Sequence, residues 1–257
     1  MLPRSLRYIR DGLLALAYPE RCRICDGSVE SWDDGIACSE CWENPNVTKI
    51  LSGSLCTKCG LPLRRAMPDS QPPAEAESRF CGTCASLPFT SARAAGIYFG
   101  PLEASVLFLK VTPHICPRLR DIITKTMFDH SGALASDLVM PVPLHHLRER
   151  ERGFNQAAII ARLISRKFNL HLDERSLVRT QPTERHRAGM DAADRALSVA
   201  RAFEIQRPRL VNGASILLVD DVYTSGSTIS AATQKLLEAG ARQVTVLTIA
   251  RAGDWFS

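Results

Sequence analysis

The chain has 257 residues, a hydrophobic share of 45%, a charged share of 23% and a net charge of +5. That length holds one sizeable core plus a small module, and the ordinary apolar-to-charged balance excludes a disordered or fibrous chain. No apolar run approaches the roughly 20 residues needed to cross a bilayer, so no membrane anchor is expected, and the mild positive charge fits polyphosphate or nucleic acid without demanding either.

The first segment is a basic start followed by the apolar run Gly12 to Tyr18. No small-residue cleavage site precedes Cys22, so an amphipathic helix over 1–19 is expected in place of a signal peptide, and the cytoplasm is the expected location.

Nine cysteines follow, eight of them in four Cys-x-x-Cys pairs: Cys22/Cys25, Cys38/Cys41, Cys56/Cys59 and Cys81/Cys84, with gaps of 12, 14 and 21 residues. Two thiolates in a tight turn chelate one ion, and two such turns complete a tetrahedral site, so eight ligands fit two Zn²⁺ ions. Disulfides would need an oxidising compartment, and a redox pair would normally be single. Sequential pairing closes shorter loops. A cross-braced arrangement, first pair with third and second with fourth, fits the same residues. All-cysteine sites leave no position open for water, which makes the zinc structural. Few large apolar residues lie here, so the metal supplies much of the folding free energy. The module is read as 20–90, with a flexible Pro-, Ser- and Glu-rich insert at 64–78. The ninth cysteine, Cys116, is read as a small packed residue.

Residues 91–257 read as one α/β domain. A strand is expected over Ala92 to Phe99 and a helix over Leu102 to Val111, with Lys110 near its end. There it is either an exposed cation favoured by the helix dipole or a diphosphate contact. A helix over Arg118 to Asp129 and a strand over Asp137 to Pro143 come next. Arg148, Arg150 and Arg152 then cluster after the strand end, Gly153 turns the chain, and Phe154, Ala158, Ala161, Ile164 and Phe168 mark one helix face. Arginine forks match phosphate oxygens, although Glu149 and Glu151 could neutralise this run locally.

The most informative stretch comes last. Ile216 to Val219 is an apolar run suited to a strand buried on both faces. Asp220 and Asp221 stand where that strand should emerge. Thr224, Ser225, Gly226, Ser227 and Thr228 form a hydroxyl-rich turn, and a helix follows from Ile229 to Gly240. A final strand covers Gln243 to Ala250. A helix N-terminus fed by small residues suits a phosphate, and the acid pair suits sugar hydroxyls directly or through Mg²⁺. One ligand meeting both demands is a ribose 5-phosphate carrying a diphosphate. No Gly-x-x-x-x-Gly-Lys-Ser/Thr loop points instead to a nucleotide hydrolase.

This stretch resembles the motif that binds phosphoribosyl diphosphate (PRPP) in type I phosphoribosyltransferases. With the cysteine knuckles, Lys110 after Leu109, and the block Pro-Val-Pro-Leu-His-x-x-Arg-x-x-x-Arg-Gly-Phe-Asn-Gln from Pro141 to Gln156, the resemblance sharpens to the ComF (competence protein F) family, from Cys22 to Arg251. It implies a parallel-sheet, Rossmann-like α/β domain of the type I phosphoribosyltransferase class behind a double zinc ribbon. It also implies pentosyl transfer from PRPP with Mg²⁺. Asp220 and Asp221 would be catalytic. Lys110, Arg148, Arg152 and the turn Thr224, Ser225, Gly226, Ser227 and Thr228 would bind PRPP. Members of the family are linked to DNA uptake, so single-stranded DNA and uptake proteins are candidate partners. Where the family usually has glutamine and asparagine in the segment between the two loops, this chain has His186 and Ser198, in the part expected to cover the acceptor. The competing reading is a non-catalytic adaptor for single-stranded DNA or the uptake machinery that keeps the phosphate site. For base stacking the module offers mainly Trp32 and Trp42. A PRPP-sensing regulator that binds without turnover is the third reading.

Overall fold

A computed structural model describes residues 20–63, 81, 84–181 and 202–253. The expected helix over 1–19, the insert at 64–78, and His186 and Ser198 lie outside them.

The framework is a five-stranded sheet in which every pairing is parallel. Its strands, in sequence order, are β1 (Ser91–Ile97), β2 (Leu138–Pro141), β3 (His171–Leu172), β6 (Ser215–Tyr223) and β7 (Gln243–Arg251), arranged β1-β7-β6-β2-β3. A separate antiparallel ribbon joins β4 (Leu177–Arg179) to β5 (Phe203–Ile205). Helices α1 (Ser39–Glu43), α2 (Gly100–Leu109), α3 (Pro117–Asp129), α4 (His146–Arg152), α5 (Gln156–Phe168), α6 (Pro208–Val211) and α7 (Ser227–Glu238) complete the order.

Strand alternation divides the core in two. Leu217, Val219, Leu247 and Ile249 face one side and pack with residues of α2, α3 and α5. Ile216, Leu218, Val244 and Val246 face the other and pack with Ile229, Ala232 and Leu236 of α7. The cysteine module straddles the sheet edge. Cys22, Cys38, Cys41 and Trp42 belong to the first cluster, while Cys56, Cys59 and Cys84 belong to the second.

Between these flanks the module covers the free edge of β1. Leu51 N–H donates to the Ala95 carbonyl at 3.1 Å, and Ile97 N–H to the Lys49 carbonyl at 2.8 Å. An unprotected edge strand would be a template for pairing with other chains. Gly96 makes this closeness possible, since a Cβ there would fall 2.4 Å from the Lys49 carbonyl oxygen.

Two elements depart from expectation. The arginine run is a short helix, α4, and not an open loop. His145 Nδ1 accepts from Leu147 N–H at its start, and Gly153, at φ 82°, ends it. Arg150 and Arg152 occupy its last turn, where the helix dipole favours cations. Strand β6 also continues to Tyr223, four residues past the apolar run. The acid pair therefore lies inside the strand, because β7 keeps pairing with it through Tyr223↔Arg251.

Candidate functional site

Strand order places the site. From β2 the chain moves outward to β3, and from β6 it moves the opposite way to β7. Open parallel sheets bind ligands at such a switch point, beyond the carboxyl ends of the strands. β2 pairs with β6 only as far as Pro141↔Val219, so Asp220 to Tyr223 project past their neighbour and form one wall of a crevice. Opposite stands α4, held by Asn155: its side chain donates to the Val142 carbonyl at 3.0 Å and caps α5 by accepting from Ala157 N–H at 3.0 Å.

Both aspartates are half-buried. Each accepts a hydrogen bond from the next backbone N–H: Asp221 N–H to Asp220 at 2.9 Å, and Val222 N–H to Asp221 at 2.7 Å. Alternation turns them to opposite sides. Asp220 shares the face of Ile216 and Leu218 and interacts with Arg179 of β4. Asp221 shares the face of Leu217 and Val219 and interacts with Arg152 and Tyr98. Burial, followed by the Asp221 carboxylate, pushes the Asp220 carboxyl well above the usual carboxylate range, against the pull of the Asp221 N–H and Arg179.

The cationic wall is crowded. Burial and the like charge of Arg148 lower the Arg152 guanidinium, while Asp221 raises it. Burial also lowers Arg179, with Asp220 raising it and Arg148 lowering it. Arg148 thus repels both other arginines, an arrangement that an anion would relieve. Lys110 caps α2, its N–H donating to the Leu107 and Phe108 carbonyls.

The small-residue turn forms the crevice's third side. Gly226, at φ 77°, stands at the cap of α7, and the Ser225 hydroxyl accepts from Ser227 N–H at 3.4 Å. The next N–H groups of the first turn, those of Thr228 and Ile229, remain for a ligand. Ser225 and Ser227 hydroxyls meet at 3.0 Å, and Thr224, Ser225 and Ser227 are exposed while Thr228 is half-buried.

Three residues escaped the sequence reading. Arg179 sits on a β4 too short to announce itself, its guanidinium 5.2 Å from the Phe203 ring centroid and its Nε donating to the Gln181 carbonyl. Tyr98 lies just past β1, its phenol raised by burial, then by Glu103 and Asp221. Gln156, 2% exposed at the start of α5, has no hydrogen-bond partner for Nε2 among the described residues. Its place in the Pro141–Gln156 block was the available signal.

The cysteines gather in two groups, Cys22/Cys25/Cys38/Cys41 and Cys56/Cys59/Cys81/Cys84, each with its sulfurs within 4.8 Å of one another. That is the sequential pairing. The first knuckles repeat one design. Cys22 and Cys56 N–H groups donate to the carbonyls of Gly27 and Leu61, and the N–H groups of Asp26 and Gly60 return to Cys22 and Cys56. Sulfur separations of 3.7 Å in the first group and 3.4 to 3.5 Å in the second are far beyond a disulfide of about 2 Å. They approach the roughly 3.8 Å edge of a tetrahedron with 2.3 Å zinc–sulfur bonds. Burial raises the Cys22 thiol, but the N–H groups of Cys38, Cys25 and Ile24 outweigh it and bring it down to about 6. Burial and neighbouring sulfurs push Cys41 and Cys59 up. Four sulfurs so close need a cation to share them as thiolates, and both groups fit structural zinc. Cys116 is buried, its sulfur 3.7 Å from the Asp34 carbonyl, packing the first group against α3.

Comparison with known proteins agrees with this division. Residues 13–85 match the double zinc ribbon domain family. DNA utilization protein YhgH of Salmonella typhimurium is 30% identical over 207 residues, covering 77% of this chain and 84% of that protein. Competence protein F of Haemophilus influenzae is 25% identical over 240 residues, covering 90% and 97%. Among solved structures, the glutamine PRPP amidotransferase of B. subtilis matches loosely, with a TM-score of 0.35 and 20% identity over 51% of this chain and 26% of that one. A double zinc ribbon, a parallel-sheet α/β domain behind it and relatives matched over most of their length together make this chain a member of the ComF (competence protein F) family.

Proposed function

We propose that the crevice binds PRPP and that the protein transfers its phosphoribosyl group to a nitrogen acceptor. The observation that carries this reading is the meeting of two strand–loop–helix units at one switch point, carboxylates on one wall and guanidiniums on the other. The Thr224–Thr228 turn and the leading N–H groups of α7 receive the 5-phosphate. Asp220 and Asp221 hold the ribose hydroxyls. Lys110, Arg148 and Arg152 neutralise the diphosphate, with Arg179 beside them. Bound Mg²⁺ would neutralise part of the diphosphate and suits a site built from paired carboxylate oxygens.

As the bond from ribose C1 to the diphosphate oxygen breaks, positive charge grows on the ribose and negative charge on the departing group. Fixed carboxylates stabilise the first and fixed guanidiniums the second, with no reorganisation at the moment of reaction. The acceptor nitrogen supplies the electron pair for the new bond to C1 and gives up its proton. Eight free thiols for metal require a reducing compartment, which fits the cytoplasm.

The relatives' names favour a second reading, a non-catalytic adaptor for single-stranded DNA or uptake proteins that retains the phosphate site. A diphosphate-release assay of PRPP against a panel of nitrogenous acceptors separates the two. Release supports transfer. Salt-dependent binding of single-stranded DNA with no release supports the adaptor. Titration calorimetry with zinc and magnesium supplied that gives no heat with PRPP rejects the phosphoribosyl site.

A further inference from the structure

Arg93 and Arg251 are both 8% exposed, the only arginines among the buried residues described. Neither has a carboxylate partner among the described residues, and Nε of each is without a hydrogen bond. An isolated buried charge is costly, so a counter-charge is required. Both side chains reach the same knuckle of the second cysteine group. Arg251 Nη1 donates to the Cys59 carbonyl. Arg93 donates from Nη1 and Nη2 to the Thr57 carbonyl at 3.2 and 3.1 Å. Four thiolates around one Zn²⁺ carry a net charge of two minus, which the two guanidiniums match. In the first group the nearby Arg23 is exposed and lies over Phe108.

Arg251 also touches the anion site. Its guanidinium carbon lies 4.2 Å from the centroid of the Tyr223 ring. That ring packs directly beneath Gly226, where a Cβ would fall 2.5 Å from the Tyr223 hydroxyl oxygen. Three contacts therefore run without a gap from the Cys59 carbonyl through Arg251 and Tyr223 to the residue that heads α7.

We infer that the second zinc centre, acting through Arg251 and Tyr223, holds the Thr224–Thr228 turn in its anion-binding conformation. Arg251 is then a positioning residue, and the site's affinity depends on metal at Cys56, Cys59, Cys81 and Cys84. Without the ion the counter-charge is lost, Arg251 is drawn toward water, and the support beneath Gly226 goes with it. Only the identity of the ligand rests on the phosphoribosyl reading.

The test is amide hydrogen exchange on the full-length, zinc-loaded protein without ligand, with zinc content measured in parallel. Arg251→Gln and Tyr223→Leu should speed exchange across residues 224–230 by about tenfold while two zinc ions remain. Arg23→Gln, beside the first group, should leave those amides as they were. If Arg251→Gln arrives with one zinc, its exchange is set aside and Tyr223→Leu, which spares the bond to Cys59, decides alone. Wild-type exchange across the turn in Tyr223→Leu overturns the inference. PRPP titration of the wild type is read separately. Its failure removes the proposed ligand and leaves the exchange result standing.

Discussion

Asp220 and Asp221 are neighbours in sequence with different surroundings. Asp221 meets Arg152 and Tyr98, whereas Asp220 is desolvated beside Arg179 and carries a raised carboxyl. Asp221→Asn should weaken PRPP binding by roughly 10- to 100-fold, the loss of one charge-assisted hydrogen bond. Calorimetry checks this, and unchanged affinity would remove Asp221 from the site. Asp220 carries a pH signature. The folded protein holds its proton more tightly than the unfolded chain, so its contribution to stability is present at low pH and lost as pH rises through the elevated folded value. Asp220→Asn should therefore melt higher than wild type at neutral pH in the absence of ligand and Mg²⁺. The gap should close toward about pH 4, the ordinary aspartate range. Thermal melts across that window read it directly, and a variant that melts lower at neutral pH would contradict it.

The strand-to-helix junction between β6 and α7 is the element on which the site depends. Gly226 has a left-handed backbone and no room for a Cβ above Tyr223. Gly226→Ala combines backbone strain with that clash and should cost about 1–3 kcal/mol. For a chain this size that is a fall of roughly 2–4 °C in melting temperature per kcal/mol, accompanied by loss of anion binding. A variant with wild-type melting and affinity would show that the turn tolerates a side chain. The other junction, β2 to α4, is held by the two Asn155 hydrogen bonds, which explains why a run of exposed charges keeps a definite place.

At the scale of the molecule, zinc and sheet share one interior. The first cysteine group packs in the cluster of α2, α3 and α5, and the second in that of α7. Removing zinc with a strong chelator should therefore destabilise the α/β domain along with the ribbons. Structural zinc sites contribute on the order of 10 kcal/mol, more than most domains can lose. Calorimetry or circular dichroism should show the sheet's transition shifted sharply downward. An α/β transition that keeps its temperature after the metal is gone would make the module an independent appendage.

Much of this was legible in the residues alone. Cys-x-x-Cys spacing announces two metal sites because ligand geometry is local, and Ile216 to Val219 with the glycine-centred turn announces a strand, turn and helix for the same reason. The Pro141–Gln156 block likewise shows where arginines gather after a strand end, although the run folds as a helix. Tertiary structure decided everything that depends on neighbours distant in sequence. It continued β6 through the acid pair, because β7 offers hydrogen bonds as far as Tyr223. It turned the two aspartates to opposite faces and set Arg179 beside one of them. It also brought the Cys59 carbonyl, 192 residues away in sequence, against Arg251. A short strand or a buried arginine leaves no periodic trace, and only packing determines which distant backbone or charge answers it.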